Sequence, residues 1–362
     1  MPQAPGADSR LVRQKAENYL GARRTLLWAA AGWVFAQLAL AAAIELVLPE
    51  VRDPEYAVRE RRLLARLAGG EPRLWLMLGS SRTQLGLQAA RLVEPDGRET
   101  PLVFNFGMPG CGPLMQAVCF ERLLARGVRP ERLLIEVNPA MLAWRDGEPM
   151  EERWLDGARL SAAELARLLP YYQQPRRVLR NWAWAWLAPC RRRARELRRL
   201  AAFDAEAEPD ADAADWLMDD YGWQLVPAPS DAERRRELTR LAAAQYDGAL
   251  SQFEPGPMQR KALDELLARC RRESIAAALV LMPEGASFGR LYGPRSEPAL
   301  QQLLGDLRRE HDVAVIDARR WVADEFFSDG HHLLPDGAAA FTDRFARETL
   351  PIRLVSRGSR RR

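Results

Sequence analysis

The sequence predicts an α/β protein built as a three-layer α/β/α domain, with helices on both faces of a parallel β-sheet. Three observations support this prediction. Five short apolar runs have the length of strands, two of them end in glycine, and segments with a helical pattern alternate with them. Strands that are buried on both faces are apolar along their whole length, as these runs are. Their alternation with helices indicates a parallel sheet.

The five predicted strands lie in two groups, three before a long intervening segment and two after it. They span residues 73–79, 102–107, 133–137, 275–282 and 313–317. Helices are predicted over residues 55–68, 113–126, 298–309 and 338–349, and a turn at Asp336-Gly337 precedes the last of them. In such sheets, ligands bind beyond the carboxyl ends of the strands. Polar residues that follow the strands are therefore the first candidates for a site.

The intervening segment, residues 140–265, is predicted as a mostly helical insertion. Ser161 and Glu164 have the spacing of a capping box that opens a short helix. Residues 176–199 contain nine arginines and one acidic residue, interleaved with three tryptophans, Trp182, Trp184 and Trp186. Such a helix can lie on an anionic membrane surface or bind a polyanionic chain; we favour a solvated helix whose tryptophans pack on the domain. Residues 204–220 contain eight acidic residues and no basic one, which predicts a flexible loop.

The amino-terminal part predicts a membrane anchor over residues 25–48. Residues 25–44 form a 20-residue run without a formal charge, long enough as a helix to cross a bilayer. Basic residues precede the run and acidic ones follow it, so the positive-inside rule places residues 1–24 in the cytoplasm and the main domain outside. A buried helix and a signal peptide cleaved near Ala41-Ala42-Ala43 are the alternatives. Residues 354–362 are predicted as a basic disordered tail.

Composition excludes some classes of function but does not select one. The net charge is +4, and the four cysteines lack the spacing of a metal site. No nucleotide-binding loop or metal cluster is found, so we expect neither cofactor nor metal. We also expect no nucleic-acid partner, because the main domain is predicted to lie outside the cytoplasm. The chain has three histidines, and two of them follow Asp329, which is notable because histidine is the side chain best suited to proton transfer near neutral pH.

A serine, a histidine and an aspartate form the candidate catalytic group: Ser81, His332 and Asp329. A serine hydroxyl needs a base to remove its proton, and that base needs an acid to orient it. The tetrahedral intermediate needs hydrogen-bond donors around its oxyanion. The Ser81 backbone N–H, the Gly110 backbone N–H and the Asn138 side chain are donors of the right type. Read singly, each of these residues also suits an ordinary turn or helix cap.

Four blocks in this order resemble the SGNH (GDSL-like) hydrolase superfamily. The blocks are Gly79-Ser80-Ser81, Asn105-Phe106-Gly107-Met108-Pro109-Gly110, Val137-Asn138-Pro139, and Asp329-Gly330-His331-His332 with Gly337 beyond. The resemblance implies a flavodoxin-like sheet divided between residues 49–139 and 266–353. It also implies that Ser81 is the nucleophile, with Gly110 and Asn138 in the oxyanion hole.

The chain departs from the family pattern at two positions and leaves one choice open. Ser80 stands where the first block has aspartate, and Pro139 where the third has it. The change at Ser80 also occurs in membrane-anchored branches that look most similar, the alginate O-acetylation and teichoic-acid D-alanyl transfer proteins. Some branches use Asp-x-His, which makes His331 the alternative base; the spacing to Asp329 and Gly337 favours His332.

The resemblance to these branches suggests an acyltransferase or esterase anchored in a bacterial inner membrane and facing outward. The substrate would be an O-acyl group, above all O-acetyl, of an exported polysaccharide. A multi-spanning membrane O-acyltransferase is the implied donor. A plain carbohydrate or lipid esterase and a non-catalytic scaffold of a polysaccharide assembly complex are the alternatives.

Overall fold

A computed structural model describes the chain over residues 7–47, 49–70, 73–92, 101–145, 148–153, 157–172, 174–187, 218–225, 229 and 231–349. Five parallel strands form one sheet, which confirms the predicted fold class. The strands are β1 (Leu74–Gly79), β2 (Leu102–Gly107), β3 (Arg132–Glu136), β4 (Ala276–Leu281) and β5 (Ala314–Asp317), in the spatial order β2-β1-β3-β4-β5. All four pairings are parallel, so the carboxyl ends of the strands share one edge.

Helices precede the sheet, connect its strands and make up most of the insertion. They are α1 (Ala7–Leu46), α2 (Pro49–Arg52), α3 (Pro54–Leu67), α4 (Ser81–Gly86), α5 (Pro113–Ala125), α6 (Pro139–Leu142), α7 (Ala162–Leu168), α8 (Pro175–Leu187), α9 (Ala232–Leu250), α10 (Pro257–Arg272), α11 (Ala286–Gly289), α12 (Ser296–His311) and α13 (Pro335–Thr349). A two-stranded hairpin, Trp144–Arg145 with Glu148–Pro149, follows α6.

The observed ends of the elements differ from the predicted ones by a few residues. Helix α13 begins at Pro335, so Asp336 and Gly337 lie in its first turn rather than in a turn before it. Proline suits this position because it needs no hydrogen-bond acceptor for a backbone N–H. The capping box of α7 is present as predicted, with both of its hydrogen bonds formed between Ser161 and Glu164.

Apolar side chains bury both faces of the sheet. The strands are almost wholly buried; Leu76 and Met77 on β1, for example, have no exposed surface and point to opposite faces. The insertion joins the larger of the two clusters through Leu160, Leu165 and Val178. Helix α10 also runs across residues 265 and 266, where the sequence placed the end of the insertion. The insertion therefore packs as part of the sheet domain.

Helix α1 contains a segment, Tyr19–Leu46, that is long and apolar enough to cross a membrane. Its large side chains are exposed along most of this length, with Trp28 at 78% and Phe35 at 74%. Near its end Ala41 and Ile44 are buried. The carboxylate of Glu45 accepts a hydrogen bond from Ala162 N at 2.8 Å, which ties this end to the insertion.

Several predictions fall wholly or partly outside the described residues. They concern the extreme amino terminus and the carboxyl-terminal tail. They also concern residues 188–217, which include most of the arginine-rich segment and most of the acidic segment. Cys190 lies there too, whereas Cys111, Cys119 and Cys270 are buried free thiols. The division of the chain into domains stays a prediction.

Candidate active site

The structure brings Ser81, His332 and Asp329 into one hydrogen-bonded chain. Ser81 Oγ lies 2.7 Å from His332 Nε2, and His332 Nδ1 lies 2.7 Å from Asp329 Oδ2. Residues 251 positions apart meet because α4 begins directly after β1, while the loop before α13 returns to the same edge of the sheet. All three residues are partly buried. This is the contact pattern of a serine nucleophile with its base and its orienting acid.

Asp329 is held rigidly by the loop that it belongs to. Its Oδ1 accepts the backbone N–H groups of His331 at 3.1 Å and His332 at 2.8 Å. Ser328 N donates to His332 O at 2.9 Å and closes the loop. Burial by itself raises the pKa of Asp329, but the two neighbouring histidines outweigh it and hold that pKa well below its usual range. The carboxylate is therefore ionised whenever His332 has to become a cation.

His331, the alternative base, lies beside the triad rather than on the nucleophile. Its ring stacks on Phe288 with centroids 4.9 Å apart and meets the edge of Tyr246 at 5.2 Å. Its Nδ1 is 3.2 Å from Asp329 Oδ1, without the geometry of a hydrogen bond. Burial, followed by the proximity of His332, lowers the pKa of His331 to about 4. The geometry therefore favours His332 as the base.

The turn that carries Ser81 is bound to a buried carboxylate, Glu136. Glu136 Oε2 accepts the Ser80 backbone N–H and the Thr83 hydroxyl, both at 2.6 Å, and Oε1 accepts the Ser80 hydroxyl at 2.7 Å. Glu136 is 1% exposed and ends β3, next to β1. A Cβ atom on Gly79 would lie 2.3 Å from Glu136 Oε2, so only glycine fits there. Ser80, a departure from the family pattern, thus pairs with a carboxylate supplied by another strand.

The three proposed oxyanion donors lie at the ends of β1, β2 and β3. Ser81 is the first residue of α4, and Gly110 lies between β2 and α5 with φ of 66°. Among the described residues, neither backbone N–H has a hydrogen-bond acceptor. Asn138 caps α6 through Oδ1, which accepts Ala140 N at 3.1 Å and leaves Nδ2 as its donor. Pro139 begins α6 at the position where proline is suited, so this departure is compatible with the cap.

Arg82, which follows the nucleophile, is buried with Glu284. Arg82 Nη2 lies 3.1 Å from Glu284 Oε1 and donates to the carbonyl groups of Met282 and Pro283, both at 2.9 Å. Tyr292 donates its hydroxyl to the same carboxylate at 2.9 Å. Burial raises the pKa of Glu284 although the arginine opposes it. This pair fixes α4 to the carboxyl end of β4.

The insertion reaches the site at two places. Tyr246 of α9 packs on His331, as described above, and residues 218–225 lie along the free edge of β2 next to α4. In that segment Trp223 Nε1 donates to Leu85 O at 2.8 Å, and Asn105 N donates to Tyr221 O at 2.9 Å. Gly222 has φ of 88°, and a Cβ there would overlap Asn105 O. The residues that directly follow the acidic segment therefore pack against β2 and the carboxyl-terminal turn of α4.

Sequence reasoning missed Glu136, Arg82, Glu284 and Tyr246. Only Glu136 left a usable signal, because a carboxylate within an apolar strand must find donors if it is buried. The arginine and the other two residues look like ordinary members of charged or helical segments. Their roles depend on contacts between residues that are distant in the sequence, such as Arg82 with Glu284 and Tyr246 with His331.

Two groups of side chains in the described residues have the donor types of a metal site. One is Asp329, His331 and His332, which is already engaged in the triad. The other is Asp264, Glu310 and His311, on the outside of α10 and α12. Arg260 is hydrogen-bonded to both carboxylates of this second group. An arginine cation already binds both carboxylates of the second group, and we assign no metal to either group.

Comparison with known proteins finds structures but no sequence family. No protein-family model matches the chain, and no curated protein matches it. A variant of an acetyl-xylooligosaccharide esterase from Geobacillus is 12% identical, with a TM-score of 0.34 over 76% of this chain and 93% of that one. A carbohydrate acetylesterase family member from Sinorhizobium meliloti is 12% identical, with a TM-score of 0.31 over 76% and 96%. An α/β hydrolase enzyme from the metagenome of Lake Arreo is 12% identical, with a TM-score of 0.32 over 76% and 94%.

These structures are esterases and a hydrolase, at low identity and low structural similarity to this chain. They carry no argument for the function, which is therefore proposed from the geometry of the site together with the sequence.

Proposed function

We propose that this protein is a membrane-anchored serine acyltransferase or esterase that acts on O-acyl groups, above all O-acetyl groups, of an exported polysaccharide. The observation that carries the proposal is the chain of two 2.7 Å contacts from Ser81 Oγ through His332 to Asp329. The apolar helix α1 supports the anchor, and the positive-inside rule orients the domain away from the cytoplasm of a bacterial inner membrane.

The first half-reaction forms an acyl-enzyme. Ser81 Oγ attacks the carbonyl carbon of the ester while His332 Nε2 takes the hydroxyl proton. Asp329 holds His332 Nδ1–H and stabilises the imidazolium. The oxyanion lies against the backbone N–H groups of Ser81 and Gly110 and against Asn138 Nδ2. His332 then gives its proton to the leaving alkoxide, the C–O bond of the substrate breaks, and an ester on Ser81 remains.

The second half-reaction reverses these steps with a new nucleophile. A hydroxyl group, from a sugar or from water, gives its proton to His332 and attacks the ester carbonyl. The proton then returns to Ser81 as the acyl group leaves it. Transfer requires that a sugar hydroxyl outcompetes water, and the insertion, which packs on His331 through Tyr246 and on α4 through residues 218–225, would limit the access of water. A multi-spanning membrane O-acyltransferase would supply the acyl group.

The test uses the full-length chain in detergent or nanodiscs with an aryl acetate, with and without an acetyl-accepting glycan. We expect release of the aryl alcohol by the wild type and a loss of about 10³-fold or more for Ser81→Ala. Mass spectrometry should find acetyl on the peptide that contains Ser81. Unchanged activity in Ser81→Ala would overturn the proposal and favour the scaffold alternative.

The same assay separates transfer from hydrolysis. Transfer predicts that a glycan acceptor becomes acetylated and that aryl alcohol release accelerates with acceptor concentration. Fast hydrolysis that is indifferent to every acceptor would instead show a plain esterase.

A further inference from the structure

Helix α8 of the insertion has one face packed on the domain and another that is exposed. On the packed face Val178 is buried, and the indole N–H of Trp182 donates to a backbone carbonyl of the insertion at 3.0 Å. Trp184 lies on the opposite side of the helix and is 64% exposed, whereas Leu179, next to the packed face, is 45% exposed. The helix contains three arginines and no acidic residue. A large aromatic side chain, Trp184, thus shares an exposed surface with the exposed arginines Arg176 and Arg180.

The position of α8 is fixed by its contact with α1. Helix α1 is exposed from Leu26 to Leu38 and becomes buried only at Ala41 and Ile44, so its packing with the domain is at its carboxyl-terminal turns. These turns are where the apolar segment ends. A helix packed beside them lies at the level at which the span leaves the lipid.

We propose that α8 lies in the interfacial layer of the membrane, with Trp184, Arg176 and Arg180 among anionic lipid headgroups. The inference rests on the proposed anchor and extends it. Tryptophan is enriched at this level of a bilayer because its ring is amphipathic. Arginines beside it are attracted to lipid phosphates, and a helix with such a face binds in the plane of the interface. With two attachments, α1 and α8, the domain has one orientation on the membrane rather than a free tether.

Nitroxide labels measure this arrangement in the full-length protein reconstituted in nanodiscs that contain phosphatidylglycerol. Single cysteines replace Trp184, Trp33 or Leu241 in a Cys190→Ser background, in which the other native cysteines, Cys111, Cys119 and Cys270, are buried. All three labelled positions are exposed in the structure, at 64%, 61% and 57%. The relative accessibility to oxygen and to a nickel chelate gives the depth of each label.

We expect the label at position 184 at a depth of about 5–10 Å below the lipid phosphates. The label at position 33 should lie in the hydrocarbon, and the label at position 241, on α9, should lie in water. If the label at position 184 is as accessible to nickel as the label at position 241, while the label at position 33 is in lipid, this inference is overturned and the anchor stays intact. If position 33 is also in water, the anchor itself fails.

Charge reversal supplies a second, independent measurement. Arg176→Glu with Arg180→Glu should raise the label at position 184 toward water in discs with phosphatidylglycerol, because each arginine near an anionic surface changes the bound population about five-fold. Arg236→Glu on α9 is the matched control and should change nothing. If the label at position 184 is accessible to the nickel chelate in discs but inaccessible to it in native membranes, lipid binding is overturned and α8 binds a protein partner instead.

Discussion

At the scale of single residues, the two adjacent histidines have different environments and should respond differently to substitution. His332→Ala removes the base and should lower kcat/KM about 10³-fold or more. His331→Phe keeps the ring contacts with Phe288 and His332 and should leave activity within about ten-fold, since the His331 ring has no hydrogen bond to Ser81 or His332. Steady-state kinetics on an aryl acetate measure both. The reverse order of effects would make His331 the base.

His331 should also affect stability as a function of pH. Its pKa falls from 6.5 to about 4 on folding, so the folded state disfavours the proton that the unfolded state accepts. The neutral His331 ring therefore makes its full contribution to the free energy of unfolding above pH 6.5. As pH falls toward 4, up to about 3 kcal/mol of that free energy is lost. His331→Phe should therefore lose less stability than the wild type between these pH values. Urea unfolding at pH 7 and pH 4.5 measures the difference, and parallel losses would contradict the prediction.

Glu136 acts on the reaction only through the position of Ser81. Glu136→Ala leaves three buried donors without an acceptor, each costing about 1–3 kcal/mol. Because small displacements of a nucleophile are expensive, kcat should fall about 10²-fold. KM and the pH dependence of kcat should stay unchanged, since His332 and Asp329 are untouched. Glu136→Gln retains one acceptor and should recover part of the loss; equal effects of both variants would contradict a positioning role.

At the scale of elements, the strands were predictable and the contacts between distant segments were not. The five strands are apolar and short, so composition alone located them. The helices α4 and α6 are too short to show a period, and both depend on caps from Ser80 and Asn138. The blocks around Ser81 and Asp329 predicted which groups would meet, whereas Glu136 was read only as part of a strand.

Glu151, in the insertion, caps helix α5 with its side chain. It accepts the backbone N–H groups of Leu114 at 3.0 Å and Met115 at 2.9 Å, close after Gly110. Burial raises its pKa to about 7 although these N–H groups oppose the shift. A raised pKa means that its contribution to stability is complete below pH 4.5 and is lost as pH rises through 7, by up to about 3 kcal/mol.

Glu151→Gln should therefore be less stable than the wild type at pH 5, where the protonated carboxyl is tolerated, and should approach or exceed it at pH 8. Chemical unfolding at the two pH values gives the difference in the free energy of unfolding. Glu237→Gln, an exposed residue of α9, is the control and should show no such change with pH. A pH-independent difference for Glu151→Gln would show that this carboxyl does not titrate near 7.

At the scale of the whole molecule, the insertion and the sheet share one apolar core and should unfold together. Leu160 of the insertion and Leu133 of β3 are both fully buried in the same cluster. Leucine-to-alanine substitutions at such positions cost about 2–5 kcal/mol. Each should shift a single thermal transition, seen alike by circular dichroism and by loss of the proposed activity on an aryl acetate, because both leucines belong to one cluster. Leu241→Ala, at an exposed site, should move it little. A separate, earlier transition in Leu160→Ala alone, with activity retained beyond it, would mean that the insertion is an independent unit, and water exclusion at the nucleophile would then need another source.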